Sequence, residues 1–131
     1  MKILTSIRVE DNLNDGISTF YAEIKRIKTM VDFEKDNEPM LCLIDEIFKG
    51  TNSEDRIYGA QKAIATLTKP YIITFVTTHD AQLTDLTYIK NYHFNEFYEN
   101  DEIYFDYKIK EGISQTRNAK YLLKIAGIIE K

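Results

Sequence analysis

The sequence predicts an α/β fold with parallel strands, an antiparallel C-terminal hairpin and a closing helix. Three observations carry that expectation. Two short runs, residues 40–44 and, but for Thr74, residues 71–76, are apolar throughout, as strands of a parallel sheet covered on both faces are. A helical stripe lies between them, and strict alternation of apolar and polar residues follows near the C-terminus.

In chain order, Phe20, Ile24, Ile27 and Val31 fall at intervals of four, three and four, which predicts a helix over residues 19–31 with Ser18 as its N-cap. Met40-Leu-Cys-Leu-Ile44 follows Pro39 and stops at Asp45-Glu46, so it reads as a strand buried on both faces. Ile57, Ala60, Ala63, Ile64 and Leu67 form the second helical stripe. Lys69-Pro70 closes it, because proline cannot continue a helix. A second buried strand follows directly, and strand, helix and strand in that order make a right-handed crossover unit. Ile103, Phe105, Tyr107 and Ile109 alternate with Tyr104, Asp106, Lys108 and Lys110, as core positions alternate with surface ones. The polar turn 99–102 joins this segment to residues 92–98 as an antiparallel hairpin at a sheet edge. Ala119, Leu122, Leu123 and Ala126 predict a last helix ending near Gly127 in a left-handed cap.

Composition narrows the function classes. With 131 residues, 44% hydrophobic and 29% charged, and only 5 Gly and 2 Pro, the chain can form a core but not two domains. Repeats, low-complexity tracts and linkers are lacking, so it reads as one continuous unit. Its 17 basic residues against 21 acidic ones give a net charge of -4, the wrong sign for gripping DNA through phosphates. Lys25, Arg26 and Lys28 read as a solvated helix face. The single Cys42 excludes a disulfide framework and a multi-cysteine zinc site, and its apolar strand predicts a buried, inert thiol. The apolar runs are far shorter than the roughly 20 residues that span a bilayer, and residues 1–5 do not resemble a secretory signal. A cytoplasmic location is the resulting expectation.

The chemistry concentrates at Asp45-Glu46, where an apolar strand delivers two adjacent carboxylates to the end at which open parallel sheets bind ligands. An aspartate there suits magnesium, directly or through water, and the following glutamate can orient or deprotonate a water attacking a phosphoryl group. His79 emerges after the second strand at the same sheet edge. There it is placed to contact a terminal phosphate or that water. The Gly-containing turn at residues 12–19, leading into a helix N-terminus, is suited to an anion. Each of these signals also has a plain structural explanation, as a strand end, a hydrogen-bonded histidine and a capped helix; their combination favours function.

These residues resemble the MutS-type DNA mismatch-repair ATPases of the ABC class. Asp15-Gly-Ile-Ser-Thr-Phe-Tyr-Ala-Glu23 is similar to the family's signature segment, Ile44-Asp-Glu-Ile-Phe-Lys-Gly-Thr-Asn52 to its Walker B and D-loop, and Thr77-Thr-His79 to its switch histidine. Ile109-Lys-Glu-Gly-Ile-Ser114, Ala119 and Ile125-Ala-Gly127 resemble the hairpin exit and last helix of that domain. Phe48-Lys49 occupies the place of a common Gly and basic residue, and Asn52 that of a usual Ser. No Gly-x-x-x-x-Gly-Lys-Ser/Thr loop occurs in the 131 residues. The resemblance implies a three-layer P-loop NTPase-like fold, with residues 1–131 as the C-terminal part of the ATPase domain of a longer protein, or else a naturally short paralogue.

It further implies that the intact protein binds and hydrolyses ATP with magnesium at a homodimer interface. Gly16, Ser18 and Thr19 would face the nucleotide held by the other subunit, with Ser18 contacting a phosphate in trans. Asp45 would help bind magnesium, Glu46 would activate water, His79 would sense the terminal phosphate, and Gly50, Thr51 and Asn52 would communicate across the interface. DNA would be contacted by other domains, and this segment would contact no membrane. A non-catalytic dimerisation or interaction module that keeps the ATPase fold is the competing expectation.

Overall fold

The computed structural model describes residues 1–7, 16–48, 52–114 and 118–129, with residues 16–18 and 118–121 described by their backbone. They form two compact units, Met1–Tyr88 and Ile89–Lys131, a division that the unbroken composition of the sequence does not mark.

The first unit contains a three-stranded parallel sheet of β1 (Lys2–Ser6), β2 (Met40–Ile44) and β3 (Ile72–Val76), in that spatial order. Helix α1 (Gly16–Glu34) connects β1 to β2, and α2 (Ser53–Thr66) connects β2 to β3. The strand β1 adds an element that the sequence does not announce, because its five residues carry only a weak alternation. Register is in step across the sheet: Leu4 pairs with Cys42 and Cys42 with Thr74, Ser6 with Ile44 and Ile44 with Val76. The ends of all three strands are thereby level.

Alternation along the strands decides what is covered. Met40, Cys42, Ile44 and Ile72 are buried with Ile27 and Met30 of α1, Ala60, Ala63 and Ile64 of α2, and Leu67 at the C-cap of α2. On the opposite face, Ile73 is 57% and Phe75 62% exposed, and Leu41 and Leu43 are half-buried. Two-sided burial of the two apolar runs therefore does not hold within the described residues. Consecutive strands joined by right-handed crossovers put successive helices on the same face, and α1 and α2 do touch each other. Two of the three expected layers are formed here. Cys42 is fully buried, and burial pushes its thiol pKa up, partly offset by Thr74.

Helix α1 begins at Gly16, so Ser18 falls inside its first turn rather than at the N-cap, and the Ser18 side chain lies outside those described. The basic group on α1 is engaged within the chain. Arg26 Nε donates to Ser6 Oγ at 3.2 Å, Lys25 lies over the Tyr21 ring and Lys28 pairs with Asp32 at 2.7 Å. Helix α2 starts on a side-chain cap, where Asn52 Oδ1 accepts the Asp55 amide at 3.0 Å. It ends at Leu67, before Lys69-Pro70 as the proline requires.

The second unit holds the hairpin β4 (Tyr92–Glu99) and β5 (Glu102–Glu111) and the helix α3 (Asn118–Ile125). Asn100 and Asp101 both have positive φ, the signature of a two-residue turn whose twist matches the strands. The hairpin forms a sheet of its own rather than an edge of the parallel sheet. A register shift near Phe94 and Glu96 places Tyr107 at φ 55, held where Asp106 Oδ1 accepts the Lys108 amide. The alternating residues Phe105, Tyr107 and Ile109 are exposed, so the expected core side of this alternation is not covered by the described residues. Helix α3 closes as expected, with Ile128 N donating to Leu123 O, Gly127 N to Lys124 O, and Gly127 at φ 77.

The one-sided core predicts unequal costs. Ile64→Ala should destabilise the first unit by about 2–5 kcal/mol, whereas Phe75→Thr on the open face should stay within about 0.5 kcal/mol; urea unfolding compares them, and equal losses would contradict a single covered face. Asn52→Ala should cost about 0.5–2 kcal/mol, with Asn52→Asp close to neutral, in the same assay.

Candidate functional site

The site forms where β2 and β3 end side by side. Their ladder continues one step past the strands, with Thr77 N donating to Ile44 O at 3.0 Å, and the ladder between β1 and β2 does the same, with Asp45 N donating to Ser6 O at 2.9 Å. Beyond that point side chains take over. The Thr77 hydroxyl donates to Asp45 Oδ1 at 2.6 Å and accepts the Glu46 amide at 2.9 Å. One hydroxyl thus fixes the first carboxylate and the backbone of the second.

Glu46 has φ 52, a left-handed conformation that costs a residue with a side chain roughly 1–2 kcal/mol. Such outliers persist where the surroundings hold them, often at functional sites. The Thr77 bond to the Glu46 amide is one such restraint. The two carboxylates have different surroundings: Asp45 is exposed, and Glu46 is half-buried with Oε1 at 3.2 Å from His79 Nε2. His79 is 90% exposed, so this contact and the flanking backbone orient its ring more than packing does. With Ile47, Arg56, Thr78 and Asp80, Glu46 and His79 line a shallow cavity of about 190 Å³.

Behind the carboxylates, Ile47 and Phe48 turn inward, at 2% and 7% exposure. Phe48 also has φ 52. Its ring meets Phe20 of α1 edge-on at 5.8 Å and lies against Gly59 of α2. The strained turn is thereby anchored to both helices.

The structure brings together Asp45, Glu46 and His79, as the strand ends predict. Asn52 is the N-cap of α2, a structural duty in addition to any role in the segment before it. Gly50 and Thr51 lie outside the described residues, and Gly16 and Ser18 are described by backbone alone, at the start of α1. Thr19 is half-buried in the first turn of that helix. Glu23, the acidic residue of the signature-like segment, is 8% exposed and engaged within the structure. Sequence reasoning gave no role to Thr77, Arg56 or Asp80. Thr77 could have been found from its position one residue past a strand paired with the carboxylate-bearing one, but nothing local marks the pairing of Arg56 with Asp80.

A magnesium ion would find one exposed, oriented carboxylate here. No cluster of three or more His, Cys, Asp or Glu side chains capable of holding a metal exists among the described residues. Magnesium commonly keeps several waters and takes one or two carboxylates plus substrate phosphates. Asp45 therefore fits the ion only as part of a site completed by a phosphate-bearing ligand.

Residues 1–131 match the family model for MutS domain V. The DNA mismatch repair protein MutS of Persephonella marina is 30% identical over 136 residues, which covers 98% of this chain and 15% of that protein. The protein of the same name from Natronomonas pharaonis is 27% identical over 139 residues, with the same 98% and 15% coverage. The chain thus spans about 15% of the length of the curated relatives it matches. An α/β unit with a parallel sheet, an antiparallel hairpin and a family match along its whole length leads to one assignment: the chain belongs to the MutS domain V family, a P-loop ATPase-type domain.

Proposed function

We propose that this chain supplies part of the ATP-hydrolysing machinery of a MutS-family mismatch repair protein. The observation that carries the reading is the meeting of Asp45, Glu46 and His79 at the level ends of two adjacent parallel strands. Glu46 acts as the base that orients or deprotonates the attacking water, and its left-handed backbone and its contact with His79 support that role. His79, in contact with Glu46, responds to the terminal phosphate. Asp45 holds magnesium, directly or through water; the bound ion would neutralise phosphate charge.

The signature-like segment at Gly16, Ser18 and Thr19 serves the nucleotide of a second subunit, because a helix N-terminus offers amides and a positive dipole end to phosphate. Gly50, Thr51 and Asn52 carry the state of one site to the other across the homodimer. DNA is engaged by other domains of the intact protein, which works in the cytoplasm. The net charge of -4 supports keeping DNA away from this segment. A second reading, a non-catalytic dimerisation module, draws on the lack of a phosphate loop in the 131 residues.

The isolated chain should bind Mg-ATP weakly and turn it over negligibly, since a phosphate loop supplies most contacts to the β and γ phosphates. Calorimetry on the purified chain checks this, and a micromolar or tighter Kd contradicts it.

In the intact protein, Glu46→Gln should leave nucleotide binding in place and slow hydrolysis by about 10²–10⁴-fold, while Asp45→Asn should weaken magnesium-dependent binding. Ser18→Arg should block the composite site by intrusion. Mixing Ser18→Arg subunits with Glu46→Gln subunits should restore activity, because one interface of the mixed dimer then pairs an intact Ser18 with an intact Glu46. Unchanged turnover in the single variants, or no recovery once mixed dimers have been shown to form, would favour the non-catalytic module.

A further inference from the structure

One charged pair is built into the same cavity without belonging to the motif that predicts the site. Arg56 lies in the first turns of α2, and Asp80 directly follows His79. Arg56 Nε donates to Asp80 Oδ2 and Nη2 donates to Oδ1, both at 2.9 Å, so the guanidinium grips the carboxylate with two parallel hydrogen bonds. The side chains are 23% and 20% exposed, which shields the pair from solvent more than the surface ion pairs around it. The Asp80 contact holds the Arg56 guanidinium more firmly protonated than usual. Asp80 is fixed at its backbone as well, its amide donating to Thr78 Oγ1 at 3.0 Å and its carbonyl accepting the Leu83 amide at 3.1 Å.

His79 lies between two anchored neighbours. Before it, Thr77 is tied to Asp45 and to the Glu46 amide; after it, Asp80 is tied to α2. Its own ring is too exposed for packing to hold it. We infer that Arg56 and Asp80 are positioning residues, which hold the backbone on the far side of His79 so that its imidazole meets Glu46. The fork matters beyond the charge. A lysine at position 56 would keep the positive charge but lose the planar two-point grip, leaving Asp80 free to swing about a single contact. Through this clamp α2, and with it the Asn52 cap, is mechanically joined to the histidine.

The inference rests on the hydrolytic reading, and its test separates the two. Steady-state hydrolysis of Mg-ATP is measured on the intact protein carrying Arg56→Lys, Asp80→Asn, His79→Ala and the double variant Arg56→Lys/His79→Ala. Displacing a reacting group by about 1 Å can cost on the order of 100-fold in rate, so kcat should fall by about 10–100-fold in Arg56→Lys and in Asp80→Asn. KM should move by less than about threefold, since substrate binding is not what the clamp serves. In the His79→Ala background, Arg56→Lys should have no further effect, because a residue acting through the histidine has nothing left to position. If one clamp variant fails to fold, as circular dichroism would reveal, the other carries the same measurement. Losses that multiply in the double variant, or clamp variants that melt earlier with kcat unchanged, overturn the inference and leave the hydrolytic reading standing. No hydrolysis by the unaltered intact protein overturns both.

Discussion

The in-step parallel pairing of β2 with β3 is the constraint on which the site depends. A parallel ladder has no tight turn to set its register; it is set by which side chains fit beneath the crossover helix. Here Cys42 opposite Thr74 and Ile44 opposite Val76 bring Asp45 level with Thr77. A slip of one residue would turn Cys42 and Ile44 outward and carry the Thr77 hydroxyl away from Asp45. The apolar core under α1 and α2 therefore does more than stabilise the sheet, because it also sets the spacing between the carboxylates and the histidine.

Much of this was legible in the sequence, for physical reasons that differ by element. The helices announce themselves because burial against one sheet face imposes a 3.6-residue period, seen in Ala60, Ala63, Ile64 and Leu67. Asp45, Glu46 and His79 were legible because an abrupt change from apolar to charged residues marks a strand end. One-sided coverage was not legible, since Phe75 looks the same in a sequence whether or not a layer lies over it. Nor were Thr77 and its two hydrogen bonds, or the Arg56 clamp. Such contacts join residues 32 and 24 positions apart, with no periodicity to betray them.

The two faces of the parallel sheet differ in coverage more than in chemistry. On the covered side, Ser6 is buried and takes the Arg26 hydrogen bond, and Thr74 donates to Leu67 O, so polar residues there have partners. On the other side, Ile3, Leu41 and Ile73 lie in one row across the strands, with Thr5, Leu43 and Phe75 in the next. Parallel sheets are ordinarily enclosed on both faces. Among the described residues, the strands of the first unit are held by main-chain hydrogen bonds and covered by helices on one face.

The turn at Phe48 has a consequence for how this sequence can change. A methyl group at Gly59 would stand 3.3 Å from Phe48 Cε2 and 3.4 Å from Cδ2, tighter than ordinary contact. Phe48 itself occupies a backbone conformation that glycine adopts without penalty. The two positions are therefore coupled: glycine at 48 would relieve the backbone and vacate the space over 59, after which alanine at 59 would improve the helix. In the opposite order, alanine at 59 would press on the aromatic ring before any relief existed. Substitution along this interface is directional, and a lineage that acquired phenylalanine at 48 would have made its small neighbour on α2 much harder to replace.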